Sequence, residues 1–262
     1  MEKFTLLAGY PYLYETHLHT SRGSACAICS PVEAAKAYHE AGYSGIIITE
    51  HNWGGNTAVP RYLAWPEWVE QFTRGYHEAR RWGDSHGLSV FWGYEAGFDG
   101  TEFLVLGLEP EFLLKYPQIK RAGVAEQYRI VKEAGGFVVH AHPYRSAYYI
   151  PEIRLFPQYV DAVEGINATH HNRFMQDNYG YFRSDEIFNS QAVEYANKYN
   201  LPMTAGSDAH STRLYGAGMA FERRPMDAKD MLGRISSKEG YVLTDGLMWY
   251  DPTGRQIAEV DY

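Results

Sequence analysis

The sequence predicts an α/β fold in which strand–helix units form a TIM-like barrel around a mostly parallel sheet. Three observations carry this. Strand-like runs alternate with helical patterns of roughly eleven or more residues, as in successive βαβ units. Histidines and acidic residues follow those runs near positions 17, 51, 95, 140, 164 and 208, about every 30–45 residues, the length of a βα unit with its loops. The 262 residues show no linker, repeat or low-complexity tract, so one barrel domain over 1–262 is expected. A ring of such units gathers all C-terminal strand ends on one rim, although an open doubly wound sheet also collects ligands at strand ends.

Strands are expected over residues 12–17, 45–49, 89–94, 103–108, 136–140, 162–166 and 203–205, where β-branched and aromatic residues concentrate. The first helix, over 31–41, is the best signalled. Ser30 can cap it, Pro31 suits its first position, Glu33 completes a capping box and Gly42 ends it. Further helices are expected over 66–86, 124–134, 186–199 and 228–238. Residues 167–185 are polar and aromatic without periodicity and read as a long loop near the strand ends. In the tail 240–262, Asp251-Pro-Thr-Gly254 is a turn signature between two strand-like runs.

Composition narrows the function. The formal net charge of −8 argues against general binding to nucleic acids or anionic membranes, but bound divalent ions could still reverse the local sign for a phosphorylated substrate. Only Cys26 and Cys29 occur, too few for a disulfide framework. No apolar run approaches the roughly 20 residues of a spanning helix, and the N-terminus lacks a signal-peptide pattern. A reducing, cytoplasmic setting is expected.

The chemistry lies at the predicted strand ends. On an extended strand residues i and i+2 share a face, so the imidazoles of His17-Leu-His19 can chelate one ion. His140-Ala-His142 and Asp208-Ala-His210 repeat that spacing. A single H-x-H is weak, since core or surface histidines produce it too; three such pairs, each after an apolar strand, are hard to ascribe to chance. Adjacent Glu50 and His51 must face opposite ways, and His51 is the better ligand, with Glu50 placed to accept a hydrogen bond from a ligand imidazole. Glu95 closes an apolar strand and, with two carboxylate oxygens, could bridge two cations. Glu164 reads as a structural or orienting group.

The motifs His17-Leu-His19-Thr, Thr49-Glu-His51, Gly93-Tyr-Glu-Ala-Gly97, His140-Ala-His-Pro-Tyr-Arg145 and Gly206-Ser-Asp-Ala-His210 occur in that order. Together they resemble the PHP (polymerase and histidinol phosphatase) superfamily of metal-dependent phosphoesterases, across about residues 14–215. The resemblance implies a distorted (β/α)7 barrel with two or three divalent ions at the C-terminal strand ends. It implies as metal ligands His17, His19, His51, Glu95, His142, Asp208 and His210, with Glu95 bridging. The sequence departs from the pattern where Ser24-Ala-Cys26 stands in place of an Asp or His, and at Leu104, where the family often has a His. His140 or Cys26 could compensate.

Mixed imidazole and carboxylate donors suit Zn, Mn or Fe better than Ca. The expected reaction is hydrolysis of a small phosphate ester by a water that the ions acidify, with Glu95 and Asp208 as catalytic residues. Arg145 and Arg213, each three residues after a proposed ligand, could grip phosphate oxygens, and Arg22 is a weaker third candidate. Cys26-Ala-Ile-Cys29 has redox-motif spacing but lies about a turn before the helix cap, and reads as two reduced thiols in a loop. His170 and His171 are expected in solvent, and His39, His77 and His86 on helices. Trp53, Tyr144, Tyr148, Tyr149 and Phe174 could shape a pocket. Two other readings stand beside phosphoester hydrolysis. An amidohydrolase-type C–N hydrolase would want a metal-bridging lysine, and no lysine falls at a strand end. A non-catalytic metal-binding module is the other.

Overall fold

The computed structural model describes residues 4–148, 150–170, 187–214 and 216–261. The first strand, β1 (Tyr12–Leu18), leads to helix α1 (Pro31–Glu40), strand β2 (Gly45–His51), helix α2 (Trp65–His86) and strand β3 (Ser89–Phe98). These three strands pair in parallel, as βαβ units require. The capping box forms: Ser30 Oγ accepts from the Glu33 N–H at 3.2 Å and Glu33 Oε2 accepts from the Ser30 N–H at 2.8 Å. Gly87, at φ +78, stops α2 in the left-handed conformation that glycine adopts without a Cβ clash.

The chain then departs from the expected parallel order. Strand β4 (Thr101–Leu106) returns antiparallel to β3 through a tight turn at Asp99 and Gly100, whose φ values of 48 and 87 suit a hairpin of primed type. Helices α3 (Glu111–Lys115) and α4 (Val124–Glu133) precede strand β5 (Phe137–Ala141), which is antiparallel to β4. Parallel pairing resumes with β6 (Ala162–Asn167), helix α5 (Ile187–Lys198) and β7 (Met203–Gly206). On the other side of β1 an antiparallel run adds β8 (Ala217–Phe221), β9 (Tyr241–Asp245), β10 (Met248–Tyr250) and β11 (Gln256–Glu259), with helix α6 (Ala228–Ser237) after β8. The sheet order is β11-β10-β9-β8-β1-β2-β3-β4-β5-β6-β7. The sheet is mixed, because β4 and the β8–β11 run pair antiparallel with their neighbours.

The sheet curls. Tyr14, Ile47, Leu104, Val139, Met203 and Met219, from β1, β2, β4, β5, β7 and β8, belong to one buried cluster although several of their strands are far apart in the sheet order. Helices α1 and α2 cover the outside of β1–β3 with Tyr38, Trp68, Phe72 and Tyr76. The curl brings the segment after β7 back to β1: the His19 N–H donates to the Ala209 carbonyl at 2.9 Å, and Thr16 Oγ1 donates to the Ala205 carbonyl at 2.7 Å. Gly206 permits this approach, since a Cβ there would stand 2.7 Å from His17 Cβ. No helix among the described residues is long and apolar enough to cross a membrane.

Candidate metal centre

The strand ends meet at one buried cluster. His17 and His19, two apart at the end of β1, bring their Nε2 atoms within 3.1 Å of each other. His51 at the end of β2 is the register partner of Glu95 on β3, which sets His51 Nδ1 2.7 Å from Glu95 Oε2. From beyond β5 comes His142, with Nε2 3.0 Å from Glu95 Oε1. From beyond β7 comes Asp208, with Oδ1 3.1 Å from His19 Nε2 and 3.4 Å from His17 Nε2. His210 stacks on His19 with ring centroids 4.4 Å apart. Six of these seven are buried, and His210 is half-buried. All seven residues singled out as ligands in the sequence therefore lie together.

Four overlapping groups have donor atoms within 4.8 Å of one another: His19, His51 and His210; His17, His19 and Asp208; His17, Glu95 and His142; and His51, Glu95 and Glu102. Glu95 belongs to two, as a bridging carboxylate would. Glu102 did not stand out in the sequence. The hairpin at Asp99–Gly100 reverses β4, so the start of that strand, not its end, reaches the rim. Glu102 pairs with Gly97 and Ala141 there, with Oε2 3.6 Å from His142 Nε2 and Oε1 4.0 Å from His51 Nδ1. Leu104, two residues on, is buried in the apolar interior. The signal that could have revealed Glu102 is the Asp-Gly dipeptide before it.

Orienting groups hold the imidazoles. Glu164 on β6 pairs with His17 Nδ1 at 2.8 Å and also accepts from the His142 N–H at 3.0 Å and from Asn167 Nδ2 at 3.0 Å. His19 Nδ1 meets Ser24 Oγ at 2.9 Å, and Ser24 Oγ donates to Glu50 Oε2 at 2.6 Å, so Glu50 reaches a ligand imidazole through a hydroxyl. His210 Nδ1 lies 2.8 Å from the Asp208 carbonyl oxygen. In each case the partner of Nδ1 fixes the tautomer and frees Nε2 as a lone-pair donor, as in metal sites.

The donor set fits a cation. Glu95 Oε2, Asp208 Oδ1 and His51 Nδ1 are buried and satisfy no hydrogen-bond geometry, the 2.7 Å approach of His51 to Glu95 included. Buried carboxylates without a compensating charge cost several kcal/mol each. Protons take up part of that role here. Burial opposes protonation of His17, but Glu164, Asp208 and Glu95 outweigh it and hold its pKa well above the ordinary value. Burial likewise raises Glu95, yet His51 and His17 bring it well below the carboxylate range. His19 is driven down by burial and by His51 and His210. Glu102 is pushed up by burial and by Glu95.

Neighbouring candidates divide. Arg145 is in the site: Nη2 donates to Asp208 Oδ2 at 2.5 Å and to Thr169 Oγ1 at 3.3 Å, and Nε donates to His170 Nε2 at 3.2 Å. His170 is thus buried against Arg145 rather than in solvent, because the turn after β6 folds it inward, where Asn189 Oδ1 lies 3.1 Å from its Nδ1. Arg213 is exposed on the segment after His210, its backbone N–H donating to Ser211 Oγ at 3.2 Å. Arg22 pairs with Glu78 on α2 at 3.2 Å. His140 is fully buried, stacks on Phe103 at 4.9 Å and meets Tyr195 OH at 3.4 Å, outside all four donor groups. The Cys26 thiol faces His210 and His51; burial would raise its pKa, but those imidazoles lower it to about 6. His39, His77 and His86 lie on α1 and α2 as expected. Trp53 packs edge-on against Trp65 and Trp68, Tyr144 packs near Tyr195, and Tyr148 is exposed. Tyr149, His171, Phe174 and most of the loop 167–185 lie outside the described residues. A cleft beside the cluster is lined by Glu102, His142, Arg145, Glu152, Ile153 and Arg154.

Comparison with known proteins agrees with this architecture. A family described as PHP-associated matches residues 186–239, the segment that carries α5, β7, β8 and α6. A two-domain protein from Bacteroides vulgatus, described as containing a predicted PHP-like metal-dependent phosphoesterase, shares the fold at TM-score 0.64 and 14% identity, over 93% of this chain and 68% of that one. An amidohydrolase from Chromobacterium violaceum, with bound sulfate and no metal, aligns at TM-score 0.50 and 14% identity over 76% of this chain and 87% of that one. No curated protein matches the sequence significantly. An α/β fold with a rim rich in histidine, aspartate and glutamate is the class defined here. The likeness to the Bacteroides vulgatus protein is one of fold.

Proposed function

We propose that the protein is a metal-dependent hydrolase of small phosphate esters, with the strand-end cluster as its active site. In this reading β1–β7 constitute the distorted (β/α)7 barrel and its C-terminal rim carries the ions. The observation that supports it most is the convergence of seven side chains from five strand ends around buried donor atoms that lack hydrogen bonds. The description of the Bacteroides neighbour as PHP-like and metal-dependent points the same way.

His17, His19 and Asp208 would hold one ion, Glu95 would bridge to a second shared with His142 and Glu102, and His51 and His210 would serve a third. Zn, Mn or Fe suits these donors. Such ions, when bound, supply Lewis acidity toward phosphoryl oxygens and acidify a water. The protein's own part is positional. Glu164 and Ser24 keep the protons of His17 and His19 on Nδ1, so Nε2 stays a donor. Arg145, beside Asp208 and at the wall of the cleft, is placed to donate to a phosphoryl oxygen, and neutral His170 behind it accepts from its Nε. Arg213 is the outer candidate for a second contact. Glu95 rather than a lysine stands at the shared position, which favours phosphoester over C–N hydrolysis.

The test compares chelator-treated protein with protein reloaded with Zn, Mn or Fe, on phosphomonoesters, phosphodiesters and amides. Metal-dependent phosphate release, lost in His17→Ala, is the expected result. Amide cleavage without phosphoester cleavage would replace this reading with the C–N hydrolase. Bound metal with neither activity would leave a non-catalytic module.

A further inference from the structure

We propose that Asn189 and His170 are positioning residues: a hydrogen-bonded relay from helix α5 fixes the guanidinium of Arg145 in the site while leaving its charge for an anionic substrate. The proposal rests on the phosphate-ester reading above for what Arg145 grips, and adds which residues set that grip.

The relay starts at an amide whose orientation is determined. Asn189 Oδ1 accepts from the Asn167 N–H at 3.1 Å, and Asn189 Nδ2 donates to the Asn167 carbonyl at 3.1 Å. A flipped amide would set oxygen against oxygen and N–H against N–H, breaking both bonds. The same Oδ1 lies 3.1 Å from His170 Nδ1, so that nitrogen carries the proton. Nε2 then keeps its lone pair, and Arg145 Nε donates to it at 3.2 Å. A guanidinium only donates, so a proton on His170 Nε2 would face another proton. Burial and the Arg145 charge likewise hold the His170 pKa well below the ordinary imidazole value. Phe188, beside Asn189 on the same helix, packs edge-on against the buried His170 ring with centroids 5.3 Å apart.

Arg145 is thereby held at two nitrogens. Nε is tied to His170, while Nη2 donates to Thr169 Oγ1 at 3.3 Å and to Asp208 Oδ2 at 2.5 Å. Thr169 is held in turn, its Oγ1 donating to Asn167 Oδ1 at 2.5 Å and its N–H to the same oxygen at 3.0 Å. Asn167 Nδ2 donates to Glu164 Oε2 at 3.0 Å, and Glu164 meets the His17 ring and the His142 N–H. Two branches therefore leave Asn189, one to Arg145 and one to Glu164.

The choice of a histidine at the first branch has a chemical consequence. A carboxylate behind Nε would fix the guanidinium plane equally well but would offset the charge that an anion meets. Neutral imidazole fixes the plane and adds no negative charge. Ordering the side chain before substrate arrives also removes part of the entropic cost of binding.

Tautomer and phosphate binding test this. In the full chain labelled with a nitrogen isotope for magnetic resonance, the His170 signals, identified by their loss in His170→Gln, should show a protonated Nδ1 and an unprotonated Nε2. Inorganic phosphate binding to the zinc-loaded protein, measured by calorimetry, should weaken about tenfold or more in His170→Leu, as for the loss of a charge-assisted hydrogen bond. It should recover in His170→Gln, whose side-chain oxygen can stand where Nε2 does. Zinc affinity of His170→Leu should match that of the unaltered protein, whereas Asn189→Leu should lose affinity for both zinc and phosphate because it cuts both branches. In an Arg145→Ala background, His170→Leu should weaken phosphate binding no further. A proton on Nε2, equal losses in the Leu and Gln variants, or losses that add to that of Arg145→Ala would overturn the relay. Zinc-loaded protein that neither binds phosphate nor hydrolyses a phosphate ester overturns the phosphate-ester reading instead, and the tautomer still decides the relay.

Discussion

His17-Leu-His19 and His140-Ala-His142 have the same spacing at the ends of two strands, yet they do different things. Both imidazoles of the first pair enter the cluster, with Nε2 atoms 3.1 Å apart. In the second, His142 enters and His140 is buried away from it, stacked on Phe103. Backbone conformation makes the difference. The rule that i and i+2 share a face holds only while the chain stays extended. His142 lies beyond the end of β5 at φ +26, so the backbone has turned before its side chain is set, while His140 obeys the strand and joins the packing there. Spacing identifies candidates; the φ of the second residue decides whether both reach one ion.

Breaking the first pair should have the largest effect. His17→Ala removes a donor shared by two of the four groups and should lower metal-dependent hydrolysis by about a thousandfold or more, since several kcal/mol of transition-state stabilisation depend on the ions. Metal content measured alongside should fall. Unchanged metal content in this variant would mean that β1 does not hold an ion.

Glu164 links the two pairs, meeting the His17 ring and the His142 N–H at once. Glu164→Gln keeps the shape but weakens the acceptor on His17, and metal affinity should drop by about 10–100-fold. Competition with a chromogenic chelator measures it. Glu102→Gln should cost less, with one ion loosened and the rest retained, because Glu102 enters only one donor group.

His140→Phe sharpens the contrast most finely, because metal content should not change. Its effect should be on acid stability of the metal-free protein. Burial and His142 lower the His140 pKa from 6.5 to about 3. The folded state therefore resists protonation there, and stability present above the unfolded value is lost as pH falls from about 6.5 toward 3. Phenylalanine can stack on Phe103 and has nothing to protonate, so denaturant midpoints of the variant should decline less over that window. Parallel decline of the two proteins would show that His140 does not contribute.

Much of this was legible in the sequence where local signals agreed. The capping box at Ser30 and Glu33, the apolar run before His51 and the alternation before His17 all specify elements that formed at or within a residue or two of their expected bounds. Direction was not legible for β4. Its apolar run reads the same either way, and only the Asp99–Gly100 turn, two residues with positive φ, reveals the reversal that carries Glu102 to the rim. The same blindness hid β8, a short Ala- and Gly-containing strand that pairs antiparallel with β1. The burial of His170 is not legible locally, because it depends on Arg145 and Asn189, partners distant in sequence.

Anomalous diffraction from crystals of the Zn- or Mn-loaded protein tests the central claim most directly. Ion peaks within coordination distance of His17 Nε2, His19 Nε2, Glu95 and Asp208 are the predicted result. A loaded protein whose anomalous peaks all lie away from those four side chains would contradict it.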